Sequence, residues 1–161
     1  MPRRTLDRIR EAIRSNAYDM TAHTFEEMAE DGLDLVDIET AILNGRLTKT
    51  AKDDPRGIRH TIHGIGAMEL HSLQGDGGIN MTAQFGYLCE YCEGTVREKR
   101  VEREAFKHKT GFVILEDVVI GVCDKCGNRY YSADTLKRVQ AIASGKIRPT
   151  RTVQVPVATA R

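Results

Sequence analysis

The first half of the chain carries apolar residues at helical spacing inside charged segments. A first apolar stripe predicts an amphipathic helix at the start of the chain: Leu6, Ile9 and Ile13. A second helix is expected to begin with a capping box, formed by Thr24 and by Glu27 three residues later. Gly32 is expected to end this helix, because glycine tolerates the left-handed backbone found after helices.

A third helix is predicted after Gly32. Either Asp34 or Asp37 can cap it, and Asn44-Gly45 ends it. Its apolar face is expected to comprise Val36, Ile38, Ala41 and Ile42. Three helices therefore precede any strand in the predicted order.

The pattern then changes to short segments typical of strands. Strands are predicted at residues 46–50, 57–64 and 67–73, followed by a turn at 74–80 and an extended segment at 79–87. Helices followed by a run of strands favour an α+β fold, here with N-terminal helices and a small antiparallel sheet.

The second half is expected to contain two long strands and a final helix. The strands cover residues 95–106 and 111–122, and the second is nearly continuous in Val and Ile, so it is expected to be buried. The helix is capped by Ser132 and ends at Gly145, with an apolar stripe of Leu136, Val139 and Ile142. In the tail, Val153, Val155 and Val157 alternate as in an edge strand, and Pro156 restricts this segment to an edge or a docking peptide.

Composition and charge narrow the possible classes of protein. The chain has 161 residues, of which 40% are hydrophobic and 29% charged, as expected for a soluble globular protein of one domain or two small ones. Neither a membrane-spanning run nor a secretory signal is recognisable, so we expect a cytoplasmic protein without membrane contact. Residues 1–80 carry a net charge of −4 and residues 81–161 carry +5. This asymmetry suggests two units that attract each other, the basic one being free to meet an anionic partner.

All four cysteines lie in two Cys-x-x-Cys pairs: Cys89, Cys92, Cys123 and Cys126. Four thiolates in two such turns match a closed, structural zinc site of the zinc-ribbon type, with Gly94 and Gly127 allowing each turn to fold back. A redox role for either pair is the alternative, but neither pair has the strand–helix–strand context of thioredoxin-like proteins. His108 could replace one ligand, although a surface histidine is the preferred interpretation.

The residues around these pairs resemble the YgiT/MqsA-type zinc-finger antitoxins of bacteria over about residues 88–158. The resemblance rests on the Gly-Thr after the first pair, the apolar strand before Val-Cys-x-x-Cys-Gly, the Tyr-Tyr-Ser-Ala-Asp-Thr-Leu helix start and the Val-x-Val-Pro-Val tail. It implies a zinc domain that grips a partner toxin. Larger members add a helix-turn-helix that binds their own promoter, and this role is not expected here because the sequence ends at Arg161.

About residues 20–64 resemble a second family, a domain of unknown function related to RelE-like and BrnT-like toxins. His23, Asp31-Gly32, Ala41-Ile42 and the Asp-Pro-Arg-Gly turn at 54–57 carry the resemblance. It implies two helices leading into an antiparallel sheet, proximity to YgiT-type antitoxins and mRNA cleavage in relatives. Beyond Gly64 the agreement ends, as though the sheet of the toxin were shortened.

An mRNA-cleaving site needs cations and usually a general base. The candidates are His23, Arg56, Arg59, His60 and His63. The acidic first half, almost free of aromatic residues, is a poor nucleic-acid surface, so each histidine is interpreted as structural and no catalytic residue is assigned. The basic tail residues are interpreted as facing a protein rather than nucleic acid: Lys146, Arg148, Arg151 and Arg161.

The sequence thus predicts a toxin–antitoxin fusion in two domains. Residues 1–80 form a RelE-like toxin-type domain, and residues 86–161 form a zinc-ribbon antitoxin-like domain that binds and neutralises it, in the same chain or in a separate one. The alternatives are an active endoribonuclease held in check by its fused zinc domain and a zinc-ribbon regulator that binds nucleic acid.

Overall fold

The computed structural model describes residues 5–53, 58–64, 79–80 and 85–160, with the backbone alone for residues 79–80. The helices are α1 (Thr5–Arg14), α2 (Ala22–Glu30), α3 (Leu35–Asn44) and α4 (Ala133–Ala143). The strands are β1 (Asp19–Thr21), β2 (Arg46–Ala51), β3 (Arg59–His63), β4 (Ile79–Asn80), β5 (Val96–His108), β6 (Gly111–Cys123) and β7 (Arg129–Ser132). The α+β class, with N-terminal helices, antiparallel sheets and a C-terminal helix, is confirmed.

The first predicted capping box is misplaced. Thr24 lies inside α2, and the N-cap is Thr21, whose hydroxyl accepts a hydrogen bond of 3.2 Å from the Thr24 N–H. The helix starts earlier because the backbone leaves β1 directly into α2 at this threonine. The predicted stop is confirmed, since Gly32 adopts a left-handed φ of 72°.

The third helix begins and ends where the sequence predicts. Asp34 caps α3, and its side chain and that of Asp37 form a reciprocal capping box. Gly45 follows the last helical residue. One residue of the predicted apolar face is wrong, because Val36 is 51% exposed while Leu35 beside it is buried.

The predicted strands at 46–50 and 57–64 correspond to β2 and β3, which form a two-stranded antiparallel sheet. The predicted strand at 67–73 and most of the turn at 74–80 lie outside the described residues. Within the predicted segment 79–87, the structure assigns residues 79–80 to β4.

A long antiparallel hairpin, β5 and β6, forms the framework of the second half. Its register runs from Val96 opposite Cys123 to His108 opposite Gly111. The expected burial of the second strand is only partly right, because Phe112 is 71% exposed on the face away from the helices. Because of this register, the hairpin brings the residues next to the two cysteine pairs to one end of the sheet.

The C-terminal helix α4 is capped by Ser132 as predicted, and Leu136 and Val139 on its stripe are fully buried. The expected edge strand in the tail is not formed: residues 151–160 contain no helix or strand and are exposed. Arg151 nevertheless forms an ion pair with Glu116 on β6.

The main sheet joins both halves of the chain. Its order is β4-β1-β7-β6-β5, so the short strand β1 from the first half lies between β4 and β7. Met20 on β1 is fully buried opposite Tyr131 on β7. The largest cluster of buried apolar residues likewise includes side chains from α1, α2, α3, β5, β6 and α4. Neither β1 nor β7 was predicted from the sequence.

Of the ion pairs between the halves that the structure describes, three follow the predicted charge asymmetry, whereas Arg59 of the first half pairs with Glu90 of the second in the opposite sense. Glu30 on α2 pairs with Lys107 on β5 at 2.6 Å, and Asp34 pairs with Lys109 at 3.0 Å. Glu39 on α3 lies 3.1 Å from Lys137 on α4. In these three pairs the acid comes from the first half and the lysine from the second. Among the described helices, none is long and apolar enough to cross a membrane.

Asp19 on β1 is a buried carboxylate, and replacing it with asparagine should reveal how much its ionisation lowers the stability of the fold. Burial raises the pKa of Asp19 to about 6, although the Tyr87 hydroxyl donates a hydrogen bond to it. Because this folded-state pKa exceeds that of an unfolded aspartate, the group opposes folding once the pH rises from about 4 through about 6. We expect Asp19→Asn to raise the free energy of unfolding by about 1–2 kcal/mol above pH 6.

Urea denaturation of both proteins from pH 4 to pH 8 checks this effect. The advantage of Asp19→Asn should shrink toward pH 4, where the wild-type carboxyl is protonated in the folded state and about half protonated in the unfolded state. An advantage of equal size at every pH would show that ionisation of Asp19 does not cause it.

Candidate metal centre

The four cysteines meet at one end of the β5–β6 hairpin. Cys89 and Cys92 lie in a turn at residues 88–95, the first knuckle, and Cys123 and Cys126 lie in a turn at residues 123–128, the second knuckle. All four Sγ atoms are within 4.8 Å of one another. This group could hold a metal ion, as the spacing of the two pairs predicts.

The distances between the sulfurs fit a tetrahedral ion. Cys89 Sγ lies 3.6 Å from Cys126 Sγ, and Cys92 Sγ lies 3.4 Å from Cys123 Sγ. Four sulfurs at about 2.3 Å from a central zinc ion are about 3.8 Å apart. Small outward movements of the side chains are therefore enough to accommodate a metal.

Each sulfur also has an N–H donor aimed at it. Backbone N–H groups of Tyr91, Gly94 and Lys125 donate to Cys89, Cys92 and Cys123 at 3.4, 3.3 and 3.5 Å. The side-chain amide of Asn128 donates to Cys126 at 3.2 Å. Donors of this kind stabilise thiolates and orient metal ligands. The hydrogen bonds that would support four metal ligands are therefore already formed.

The backbone of each knuckle closes on itself. In the first knuckle the Cys89 N–H donates to the Gly94 carbonyl at 2.8 Å, and in the second the Cys123 N–H donates to the Asn128 carbonyl at 2.9 Å. Gly127 has a left-handed φ of 75°, which glycine adopts without steric cost. Asp124 ties the two knuckles together by accepting a 2.9 Å hydrogen bond from the Thr95 N–H.

Gly94 is needed for space rather than for its backbone angles. A Cβ at this position would lie 2.4 Å from Cys123 Sγ. We expect Gly94→Ala to displace a ligand and to weaken metal binding by about 10- to 100-fold. Competition with a chromophoric chelator measures this loss.

Gly127→Ala is the matched control for Gly94→Ala. Nothing lies within 4 Å of a Cβ at position 127, so the substitution adds only backbone strain of about 1–2 kcal/mol. Equal losses of metal affinity in the two variants would contradict the steric role of Gly94.

Without a metal, the thiols have unequal acidities. Burial acts to raise the pKa of Cys123, but backbone N–H donors and the neighbouring thiols lower it to about 6. The Gly94 N–H acts to lower the pKa of Cys92, but burial and the other three sulfurs raise it to about 12. Four adjacent thiolates repel one another, and a divalent cation removes this repulsion.

Three polar residues next to the cysteines were not singled out from the sequence. Tyr130 on β7 is buried with its hydroxyl 3.3 Å from Cys89 Sγ, and it packs edge-on against Tyr87. Tyr87 in turn donates a 2.8 Å hydrogen bond to Asp19 on β1. Both tyrosines are close to a cysteine pair in sequence, and Tyr130 belongs to the Tyr-Tyr-Ser-Ala motif, but no local motif marks Asp19, whose place follows from the pairing of β1 with β7.

The predicted histidine alternatives lie elsewhere. His108 is buried, against the prediction of a surface residue, because it continues the inward-facing positions of β5 after Glu104 and Phe106. Its Nδ1 lies 3.0 Å from the Thr110 hydroxyl, and burial lowers its pKa. Within the described residues, the metal-ligating group contains the four cysteines and no histidine.

The candidate residues for RNA cleavage have separate partners. His23 on α2 lies 3.2 Å from Glu27 and is largely exposed, while His60 on β3 lies 3.1 Å from the Thr50 hydroxyl. His63 is exposed at the end of β3. Of the two candidate arginines, Arg59 pairs with Glu90 of the first knuckle, and Arg56 lies outside the described residues.

Comparison with known proteins gives no match: neither family models, nor curated proteins, nor solved structures match this chain. What the site can bind is therefore inferred from its own geometry. Four cysteines, each with an N–H donor, form a group that could hold one metal ion at the end of a β hairpin.

Proposed function

We propose that this chain is a toxin–antitoxin-related protein of the type II class, with both partners in one polypeptide. Residues 86–161 are the zinc-binding, antitoxin-like segment, and residues 1–80 are the RelE-like, toxin-type segment that it binds and neutralises. The bound zinc ion is structural in this proposal: it cross-links the two knuckles and takes no part in a reaction.

The pairing of β1 with β7 is the observation that best supports binding within one chain. It places a strand of the toxin-type segment inside the sheet of the antitoxin-like segment. Behind this pairing, Phe25 on α2 lies edge-on to Phe106 on β5, with ring centroids 6.4 Å apart. The Ala133 N–H at the start of α4 also donates to the Tyr18 carbonyl at 3.0 Å. These contacts give the two segments a common core.

Zinc is proposed because of the donor set. Four thiolates in a tetrahedral arrangement suit zinc, and a site with four protein ligands leaves no open position for substrate. All four cysteines are free thiols rather than disulfides. Because four protein ligands would fill the coordination sphere, the donor set supports a structural ion over a catalytic one.

A protein partner is favoured over nucleic acid by the charge pairing on the hairpin. Exposed arginines of β5 are matched by carboxylates of β6: Arg100 pairs with Asp117 at 2.7 Å, and Arg103 pairs with Glu116 at 3.2 Å. Arg97 similarly pairs with Asp124 of the second knuckle at 3.1 Å. Cations already paired in this way offer less attraction to a phosphate backbone.

Binding between the segments is tested by splitting the chain within residues 65–78 and co-expressing the two pieces. With a tag on the second piece, we expect both pieces to copurify in the presence of zinc, and we expect copurification to fail with Phe106→Ala. Phe112→Ala in the second piece, where the ring is 71% exposed, is the matched control and should leave copurification unchanged. Recovery of the second piece alone, folded and zinc-loaded, would contradict the proposal.

Neutralisation is tested with the same pieces in a growth assay. The first piece alone should slow growth and shorten cellular mRNA, and co-expression of the second piece should restore both. Absence of any effect from the first piece, when it is present as soluble protein, would contradict the toxin–antitoxin function. RNA cleavage by the intact purified chain would instead support the endoribonuclease alternative.

A further inference from the structure

The first knuckle and the residue directly before it touch β1 through two tyrosines that flank Cys89. The Tyr87 hydroxyl donates to the Asp19 carboxylate at 2.8 Å, and both residues are at least partly buried. The Tyr91 hydroxyl lies 3.4 Å from the hydroxyl of Thr21, the residue that caps α2. One turn of backbone therefore contacts both ends of a three-residue strand.

The same knuckle also touches β3, in the second sheet. Arg59 Nη2 lies 3.1 Å from Glu90 Oε2, and their side chains are only 23% and 16% exposed. Less water screens this ion pair than the pairs Arg100–Asp117 and Arg103–Glu116 on the hairpin, whose side chains are at least half exposed. The knuckle thus contacts two separate strands of the toxin-type segment.

Tyr130 connects these contacts to the cysteines. It lies on β7 opposite Thr21 of β1. Its hydroxyl accepts a 2.8 Å hydrogen bond from the Glu90 N–H and lies 3.3 Å from Cys89 Sγ. The positions of Glu90 and Tyr91 are consequently fixed by the same turn that positions the first two cysteines. Tyr87 directly precedes this turn, and its carbonyl accepts a 2.9 Å hydrogen bond from the Val96 N–H.

We propose that the first knuckle and β7 together form the surface that holds the toxin-type segment, and that this docking and metal binding stabilise each other. The inference rests on the proposed function only in naming the docked segment; the coupling itself is a property of the contacts. Loss of the metal frees the knuckle to unwind, and the contacts to β1 and β3 are lost with it. By linkage, the factor by which the metal strengthens those contacts equals the factor by which the contacts strengthen metal binding, so weakening the contacts weakens metal binding.

Arg59→Gln tests the coupling from the side of the toxin-type segment, far in sequence from any cysteine. In the full-length protein we expect its zinc affinity, measured against a chromophoric chelator, to fall by about fivefold or more. Arg100→Gln is the matched control: it also removes an arginine that pairs with a carboxylate, but its partner Asp117 lies on the hairpin. Its zinc affinity should equal that of the wild type.

Tyr87→Phe is a second variant in which no net charge changes. It removes the hydroxyl that donates to Asp19 and retains the ring that packs on Tyr130. Zinc affinity should fall here too, which separates coupling through contacts from a simple effect of charge near the metal. Circular dichroism of the zinc-loaded variants confirms that they remain folded.

Hydrogen exchange of the wild-type chain gives the reciprocal measurement. Removing zinc should speed amide exchange in β1 and β3 as well as in the knuckles, whereas the far end of the hairpin around residues 106–113 should change least. Unchanged exchange in β1 and β3, or unchanged zinc affinity in both Arg59→Gln and Tyr87→Phe, would overturn the inference. Either result would leave the growth assay for neutralisation unaffected, so the two proposals can fail separately.

Discussion

Chelation of the proposed zinc ion from the full-length protein is expected to lower its thermal midpoint by about 8–16 °C. An ion that binds only the folded state stabilises by about 4 kcal/mol when its free concentration is a thousand times its dissociation constant. In a chain of this size each kcal/mol corresponds to about 2–4 °C. Thermal unfolding with and without chelator, in the presence of reductant, measures the change.

Cys89→Ser/Cys123→Ser is the control for this experiment. One ligand is removed from each knuckle, so the variant should unfold near the temperature of the chelated wild type and should not respond to added zinc. A wild-type midpoint that is the same with and without chelator would contradict a structural role for the metal.

Phe106→Ala is expected to destabilise both halves together by about 3–5 kcal/mol. Phe106 is only 1% exposed. Its ring contacts Phe25 of the first half and lies 4.6 Å, between centroids, from that of Tyr131 on β7. Truncation leaves a cavity where the helices of the first half meet the hairpin. Urea denaturation should show one transition, shifted to lower denaturant.

Phe112→Ala provides a matched control on the same hairpin. Phe112 is 71% exposed, so the same truncation should change the free energy of unfolding by no more than about 0.5 kcal/mol. If Phe106→Ala produced two separate transitions, one for each half, the common core would not be cooperative. Equal effects of the two substitutions would contradict the burial of Phe106.

The metal site could be predicted from the sequence because its information is local. Two Cys-x-x-Cys turns at the ends of a predicted hairpin specify which four sulfurs meet, and the register from Val96–Cys123 onward brings them together. The same holds for the caps at Asp34 and Ser132, where the motif and the structure involve neighbouring residues.

The contacts between the halves could not be predicted in the same way. The strands β1 and β7 contain three and four residues, too few for an alternating pattern to be recognised. Their pairing decides where Asp19 and Tyr130 lie, and the end of β1 at Thr21 also explains why α2 is capped by Thr21 rather than Thr24. The charge asymmetry did indicate that the halves attract each other, but not which residues meet.

The exposed residues of β6 show a second limit of prediction from sequence, which concerns burial. A run of Val and Ile predicts burial on both faces, yet Ile114 is 42% exposed, like Phe112 beside it. Val113, which lies between these two residues and points to the other face, is buried, and α2 packs against the partner strand β5. Composition alone does not reveal how many faces of a strand are covered.

The central claim is that the four cysteines form a single metal centre, and zinc-edge X-ray absorption of the purified full-length protein tests it most directly. We expect one zinc ion per chain with four sulfur neighbours at about 2.3 Å. A first shell that contains nitrogen or oxygen, or a metal content well below one per chain in fully reduced protein, would contradict it.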